Sequence, residues 1–143
     1  MFQLKYRNDQ TAIEPLVDTA SSFLRNASNI DAIVPVPPSV ARKDQPVLAV
    51  AAALAERLNI PLCTTCLSKV RKTPQLKDIV DYDERQEILK GAFAVSKQNT
   101  RGKRLLLFDD LYGSGATVRA ITELLKKQGH AQAVYLLTLT RKL

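Results

Sequence analysis

The sequence predicts an α/β domain built on an open, mostly parallel sheet flanked by helices. Three observations carry that expectation. Short apolar runs alternate with helical patterns of ten or more residues, which lie between Thr11 and Leu24, Asp44 and Leu58, and Thr117 and Gln128. Strands joined through helices of that length need crossover connections, and crossovers build parallel sheets with helices on both faces. Finally, 143 residues with 45% hydrophobic and 24% charged content suit one globular domain rather than a disordered chain. Residues 1–143 are therefore expected to form a single domain.

Phe2, Leu4 and Tyr6 alternate with Gln3 and Lys5, the period of a half-buried strand. Thr11-Ala-Ile-Glu14 has the form of a capping box, with Pro15 in the first turn where its missing N–H does no harm. Ile13, Leu16, Val17, Ala20, Phe23 and Leu24 follow at helical spacing and predict one buried face. Asp31–Val36 is a brief apolar run that stops at prolines, a buried strand. The second helix is expected to start at Asp44 as N-cap with Pro46 in its first turn. Val47, Ala51, Leu54, Ala55 and Leu58 would line its core face, and Asn59 with Pro61 would end it. Pro61–Leu67 and Ala92–Val95 read as short strands, and Arg104–Phe108 is the strongest buried strand in the chain. Val118, Ile121, Leu124 and Leu125 place a helix over Thr117–Gln128, with Lys126 and Lys127 on its C-terminal dipole and Gly129 closing it. Val134–Leu139 is the final strand. One stretch breaks the rhythm: Ser68–Lys90 has few apolar residues and gathers Lys69, Arg71, Lys72 and Lys77 in its first half. A segment that long is expected to be a mobile lid or binding loop, with a solvated insertion as the alternative.

Lys and Arg total 21 against 14 Asp and Glu, a formal charge of +7. That balance favours polyanionic ligands: phosphorylated metabolites, nucleic acid or anionic surfaces. The apolar run Val47–Leu54 is too short to span a bilayer, and Lys5 and Arg7 leave no secretory leader pattern, so no membrane partner is expected. Two cysteines are too few for a disulfide scaffold, which makes a reducing cytoplasm the expected compartment. Cys63-Thr-Thr-Cys66 has metal or redox spacing, but zinc needs two more ligands and the sole histidine, His130, lies far along the chain. The cysteines are read as small core residues and His130 as a surface or C-cap side chain.

The chemistry concentrates in Leu105-Leu-Leu-Phe-Asp-Asp-Leu-Tyr-Gly-Ser-Gly-Ala-Thr117. A buried strand delivers Asp109 and Asp110 at its carboxyl end, where open parallel sheets place their ligand crevice. Gly113 and Gly115 remove Cβ obstruction, so backbone N–H groups can converge on an anion at a helix N-terminus. Ser114 and Thr117 add hydroxyls. The turn suits one phosphate group, yet Ala116 stands where a P-loop needs lysine, and no third glycine completes a dinucleotide fingerprint. Two carboxylates would repel a bare phosphate, so ribose hydroxyls, Mg²⁺ or both must separate the charges. The pattern points to a sugar phosphate, its 5′-phosphate in the turn and its 2′- and 3′-hydroxyls on the aspartates.

This 13-residue segment resembles the phosphoribosyl-pyrophosphate (PRPP) motif of type I phosphoribosyltransferases. Leu4-Lys5-Tyr6, Ile33-Val-Pro-Val-Pro37, Gln75, Arg85, Gly91-Ala-Phe93 and Tyr135-Leu-Leu-Thr-Leu-Thr-Arg141 make the chain similar to the ComF-like branch, the competence-associated relatives of amidophosphoribosyltransferases. The resemblance implies that Gly113, Ser114, Gly115, Ala116 and Thr117 hold the 5′-phosphate. It implies that Asp109 and Asp110 hold the ribose hydroxyls, with Mg²⁺ as cofactor reached through ribose or water. The turn after the second expected strand, including Pro37, Pro38 and Ser39, matches the pyrophosphate loop. Prolines supply no N–H, so Ser39 and Val40 are the better donors, with Arg42 and Lys43 near enough to help. Residues 68–95 would form a flexible hood that brings Lys69, Arg71 or Lys72 over the leaving pyrophosphate.

The expected function is transfer of phosphoribose from PRPP to a nitrogenous acceptor, with pyrophosphate released. The alternative is a non-catalytic sensor of PRPP or nucleotides, linked to DNA uptake or competence. In purine-salvage relatives a carboxylate at the position of Gly113 can take a proton from the incoming base, and Gly113 cannot, which leaves the acceptor open and leans toward the sensor. Ile88 likewise replaces an Asn common in the branch. A nucleic-acid module would interleave aromatics with its cations, and Ser68–Lys77 has none, so nucleic acid is disfavoured as a direct ligand. A homodimer stays open.

Overall fold

The computed structural model describes residues 13–24, 29–38, 45–74, 76–112 and 115–141. In chain order these form α1 (Ile13–Leu24), β1 (Ala32–Pro35), α2 (Pro46–Leu58), β2 (Leu67–Lys69), a 3₁₀ turn (Leu76–Asp78), α3 (Tyr82–Leu89), β3 (Phe93–Val95), the short α4 (Lys97–Thr100), β4 (Arg104–Tyr112), α5 (Ala116–Lys127) and β5 (Ala133–Arg141). β1, β4 and β5 make a parallel sheet in that spatial order. Leu62 adds a lone parallel bridge to Ile33 on the far side of β1. β2 and β3 pair antiparallel as a separate hairpin.

The pleat of β4 divides the core. Leu105 and Leu107 face one side with Ala32 and Val34, where Ile121 and Leu125 of α5 and Leu67 and Phe93 of the hairpin cover them. Leu106 and Phe108 face the other side with Ile33, under Val17 and Ala20 of α1 and Val50 and Leu54 of α2. Successive strand residues point to opposite faces, so a strand apolar on both faces needs two covers. The α/β class read from the sequence is the class observed. Among the described residues no helix is long and apolar enough to cross a membrane.

Several elements differ from expectation. Phe23 is 78% exposed, because six residues beyond the buried Val17 puts it about 240° round the helix and off the packed face. α2 begins at Pro46 with Gln45 as its cap, and Gln45 makes no side-chain capping bond. The expected cap, Asp44, lies outside the described residues, as does the expected strand at Phe2–Tyr6. Pro61–Leu67 is not a continuous strand. After Leu62 the chain bends at 64–66 and crosses to the hairpin, and Cys63 and Cys66 are joined by a disulfide across that bend. Cys66 is buried in the core as read from sequence, but it is half of a covalent pair. Ser68–Lys90 is not structureless either, since it holds the end of β2, the 3₁₀ turn and α3.

α5 leaves through Gly129, where a Cβ would lie 2.6 Å from the Leu125 carbonyl oxygen and 2.7 Å from Thr100 Oγ1. Thr100 Oγ1 donates to the Gly129 carbonyl at 2.7 Å, so the close approach locks α4 to the end of α5. His130 follows, exposed and at φ 53°.

Asp31 and Arg104 pin the amino ends of β1 and β4 together. Asp31 Oδ2 accepts from the Arg104 N–H at 2.7 Å and from its Nε at 3.2 Å, while Asp31 N–H donates to the Arg104 carbonyl at 2.8 Å. The side-chain hydrogen bond from Arg104 holds the Asp31 carboxyl below the usual aspartate range. A depressed carboxylate stabilises the fold above its ordinary pKa and loses that contribution as pH falls through the depressed value. Asp31→Asn should therefore lower the Tm at neutral pH, and the gap to wild type should narrow below about pH 3.9 in scanning calorimetry. A gap that stays constant into acid would mean that charge is not its source.

Candidate functional site

The connections out of β1 and β4 run in opposite directions. From β1 the chain passes through α2 to Leu62 on one side, and from β4 it passes through α5 to β5 on the other. α2 and α5 also cover opposite faces of the sheet. Such a reversal opens a crevice outside the carboxyl ends of the two central strands. Pro35 is opposite Phe108 in register, and the Val36 N–H donates to the Phe108 carbonyl at 2.8 Å. Val36-Pro37-Pro38 thus leaves β1 one strand spacing, about 4.8 Å, from the segment entering Asp109 and Asp110.

Asp109 and Asp110 are half-buried there. Asp109 Oδ1 accepts from the Asp110 N–H at 2.8 Å, which orients the first carboxylate against its own backbone. β4 stays paired to β5 through Tyr112, so the acids sit on a held strand rather than a free loop. Gly113 and Ser114 lie outside the described residues. Gly115 is the N-cap of α5 at φ 83°, ψ 0°, in the left-handed region where Cβ is disfavoured. Its carbonyl accepts the first helical bond from Arg119 N–H at 2.9 Å, and no side chain of the cap residue covers the turn. The first turn of α5, with Ala116 buried and Thr117 half-buried, therefore directs its N–H groups and positive dipole end to the same end of the sheet as the two acids.

Pro37 is half-buried and Pro38 exposed at this edge, while Ser39, Val40, Arg42 and Lys43 lie outside the described residues. The cations expected in a hood divide. Lys69 is partly buried on β2, where desolvation lowers its pKa and its Nζ donates to Thr73 Oγ1 at 2.8 Å. Arg71 donates to the carbonyls of Ile88 at 2.6 Å and Lys90 at 2.5 Å, holding the C-terminal end of α3. Lys72 is exposed.

α3 is not visible in the apolar pattern, and it meets the first turn of α5 directly. Gln86 Nε2 donates to the Ala116 carbonyl at 3.1 Å, and the Arg119 guanidinium donates to the Tyr82 hydroxyl at 3.5 Å. A signal was present: Asp81 caps α3 by accepting from the Glu84 N–H at 2.9 Å, and Asp-x-x-Glu is a capping pattern. Elsewhere, an open depression of about 410 Å³ lies at the end of α2, lined by Ala52, Glu56, Asn59 and Leu62, without converging charges. Among the described residues no group of three or more His, Cys, Asp or Glu is placed to hold a metal. A cation at the crevice would rest on Asp109, Asp110 and oxygens of the ligand. Mg²⁺ commonly binds in that way, through one or two carboxylates plus substrate phosphates.

A family model described as "Phosphoribosyl transferase domain" matches residues 8–142. Among curated proteins, none matches the sequence. Adenine phosphoribosyltransferase from Saccharomyces cerevisiae is similar in structure with a TM-score of 0.62 at 18% identity, over 94% of this chain and 71% of that one. Glutamine PRPP amidotransferase from B. subtilis, complexed with ADP and GMP, gives a TM-score of 0.63 at 21% identity, over 90% of this chain but 26% of that one. A hypothetical protein from Neisseria gonorrhoeae with bound ppGpp gives 0.58 at 16% identity, over 94% of this chain and 69% of that one. At these identities the likeness is one of fold.

The left-handed cap yields the test for this site. Gly115→Ala should cost about 1 kcal/mol in urea unfolding, the penalty for a Cβ in that region. A neutral or stabilising result would mean that the turn does not need the observed conformation.

Proposed function

The chain belongs to the phosphoribosyl transferase domain family, and from that premise we propose that it binds PRPP with Mg²⁺ and transfers phosphoribose to a nitrogenous acceptor. One observation carries this reading: the paired acids in the C-terminal half of β4, the glycine-capped start of α5 and the exit of β1 share one end of the sheet at its reversal point. In this assignment Gly113 to Thr117 take the 5′-phosphate. Asp109 and Asp110 take the ribose hydroxyls, and the turn from Pro37 through Ser39 and Val40 takes the pyrophosphate, with Arg42 and Lys43 close in sequence.

Loss of pyrophosphate from the anomeric carbon leaves positive charge on the sugar while negative charge grows on the leaving group. The protein's task is to stabilise both and exclude water, and no nucleophilic side chain is required. The carboxylates face the cationic sugar, and backbone dipoles and hood lysines face the departing phosphates. When bound, Mg²⁺ would neutralise phosphate charge as a Lewis acid. The lowered pKa of Lys69 comes from burial, and closing the hood on a polyanion would favour its charged form.

Gly113 supports a second reading, a sensor that binds PRPP or a nucleotide without turnover, because it supplies no carboxylate to deprotonate a base. The ComF-like placement is supported by the sequence pieces from Leu4-Lys5-Tyr6 to Arg141, and a cytoplasmic role in nucleotide metabolism belongs to the same proposal.

Asp109→Asn combined with Asp110→Asn should weaken Mg²⁺-dependent PRPP binding about tenfold or more by titration calorimetry, or ~1.4 kcal/mol; unchanged affinity would reject their roles. Pyrophosphate release from PRPP and Mg²⁺ with a pool of bases, ammonia and glutamine separates the two readings. Release supports the transferase, and binding without release supports the sensor. Lys69→Ala with Lys72→Ala should lower turnover more than PRPP affinity, with Arg71 left in place because it holds α3. Equal losses would mean uniform binding instead of transition-state stabilisation.

A further inference from the structure

The Cys63–Cys66 disulfide closes over two residues, with Cα atoms 5.6 Å apart, and its ends belong to different parts of the fold. Cys63 is stitched to the main sheet, since its N–H donates to the Ile33 carbonyl at 2.9 Å beside the Leu62 bridge to β1. Cys66 opens the hood, its carbonyl accepting from the Ser96 N–H at 3.0 Å just before Leu67 starts β2. The bond is a strut across the bend between Cys63, which is hydrogen-bonded to β1, and the hairpin that carries Lys69 and leads to Arg71. A bridge over so short a loop removes little freedom from the unfolded chain, so its consequence is local. Exposure is also unequal: Cys66 is fully buried, whereas Cys63 is half-buried and followed by the exposed Thr64 and Thr65.

We propose that Cys63–Cys66 is a reversible thiol–disulfide site, opened by a dithiol reductant at Cys63, whose state sets how firmly the hood hairpin is held to the sheet. A thiolate of the reductant attacks Cys63 Sγ, forming a mixed disulfide and expelling Cys66 as a thiolate that takes a proton from water. The reductant's second thiolate then attacks its own sulfur in the mixed disulfide and releases Cys63, which is protonated in turn. Two electrons pass to the protein, and the dithiol becomes a cyclic disulfide. Attack at Cys63 follows from access, because Cys66 is enclosed by the core. With the disulfide open, the hairpin keeps its backbone bond from Ser96 to Cys66 and its apolar contacts through Leu67 and Phe93, but it loses the covalent brace across the bend to Cys63, the residue hydrogen-bonded to β1. This inference stands on the contacts of the 62–69 segment and does not depend on the reaction assigned above.

The test equilibrates the full chain in native buffer at graded ratios of reduced to oxidised dithiothreitol. Samples are quenched in acid, tagged with a maleimide and weighed by intact mass spectrometry. The expected result is a reversible shift between no tags and two tags without denaturant. Tagging only after unfolding, or two tags even in the most oxidising buffer, would overturn the site. Hydrogen exchange on the same samples should show amides of Leu67–Arg71 and Ala92–Ser96 exchanging about tenfold faster in the dithiol form, with β4 unchanged. Equal exchange in the two forms would overturn the link to the hood. Cys63→Ser should exchange at the fast rate in both buffers, and a slow rate in that variant would also overturn the link. Should the variant not fold, the two wild-type forms decide alone. No readout uses PRPP, so failure here leaves the aspartate test untouched.

Discussion

The parallel pairing of β1 with β4 is the constraint on which the rest depends. Four residue pairs, from Ala32 with Leu105 to Pro35 with Phe108, set the two strand ends level. A slip of one residue would turn Leu105 and Leu107 onto the wrong face and strand the acids away from the turn after β1. Both ends of the pair are secured. Asp31 and Arg104 lock the amino ends, and the Val36 N–H bonded to the Phe108 carbonyl carries the pairing one step beyond β1. Because the chain departs from these strands in opposite directions, their carboxyl ends form the reversal point at which open parallel sheets place a ligand crevice.

The segment from β2 to β3, the expected hood, is held in several ways at once. Its apolar residues Leu67, Leu89 and Phe93 join the core under α5, and Gln86 reaches from α3 to the first turn of α5. Arg71 ties the exit of β2 to the end of α3, so at least one of its cations serves the hood's own structure. The disulfide braces the bend that leads into it from Cys63, whose N–H is bonded to Ile33 of β1. The first turn of α5 and the segment from β2 to β3 are thus joined through the Gln86 bond from α3.

Much was legible because it depends on local chemistry. The run Arg104–Phe108, the acids that follow it and the glycine before α5 each announce their place in the strand–turn–helix unit through residue type and spacing. α2 is readable from its prolines and apolar face, except for its first residue, where Pro46 starts the helix and its cap Gln45 makes no side-chain bond. Phe23 misled because apolar character at near-helical spacing does not say how wide the packed face is. α3 escaped because its polar sequence, Tyr82-Asp-Glu-Arg-Gln-Glu-Ile-Leu89, has too few apolar residues to show a period, although its Asp81 cap was in plain sight.

The sequence by itself determined the layered α/β class and the acid–glycine segment, since buried strands, helix caps and left-handed glycines are local demands. Only the tertiary structure decided that β1 lies beside β4, that Pro61–Leu67 breaks into a bridge and a bend, and that Cys63 meets Cys66. Those outcomes depend on which apolar faces meet and on how far apart separate segments end, and neither quantity is encoded in any one stretch of chain.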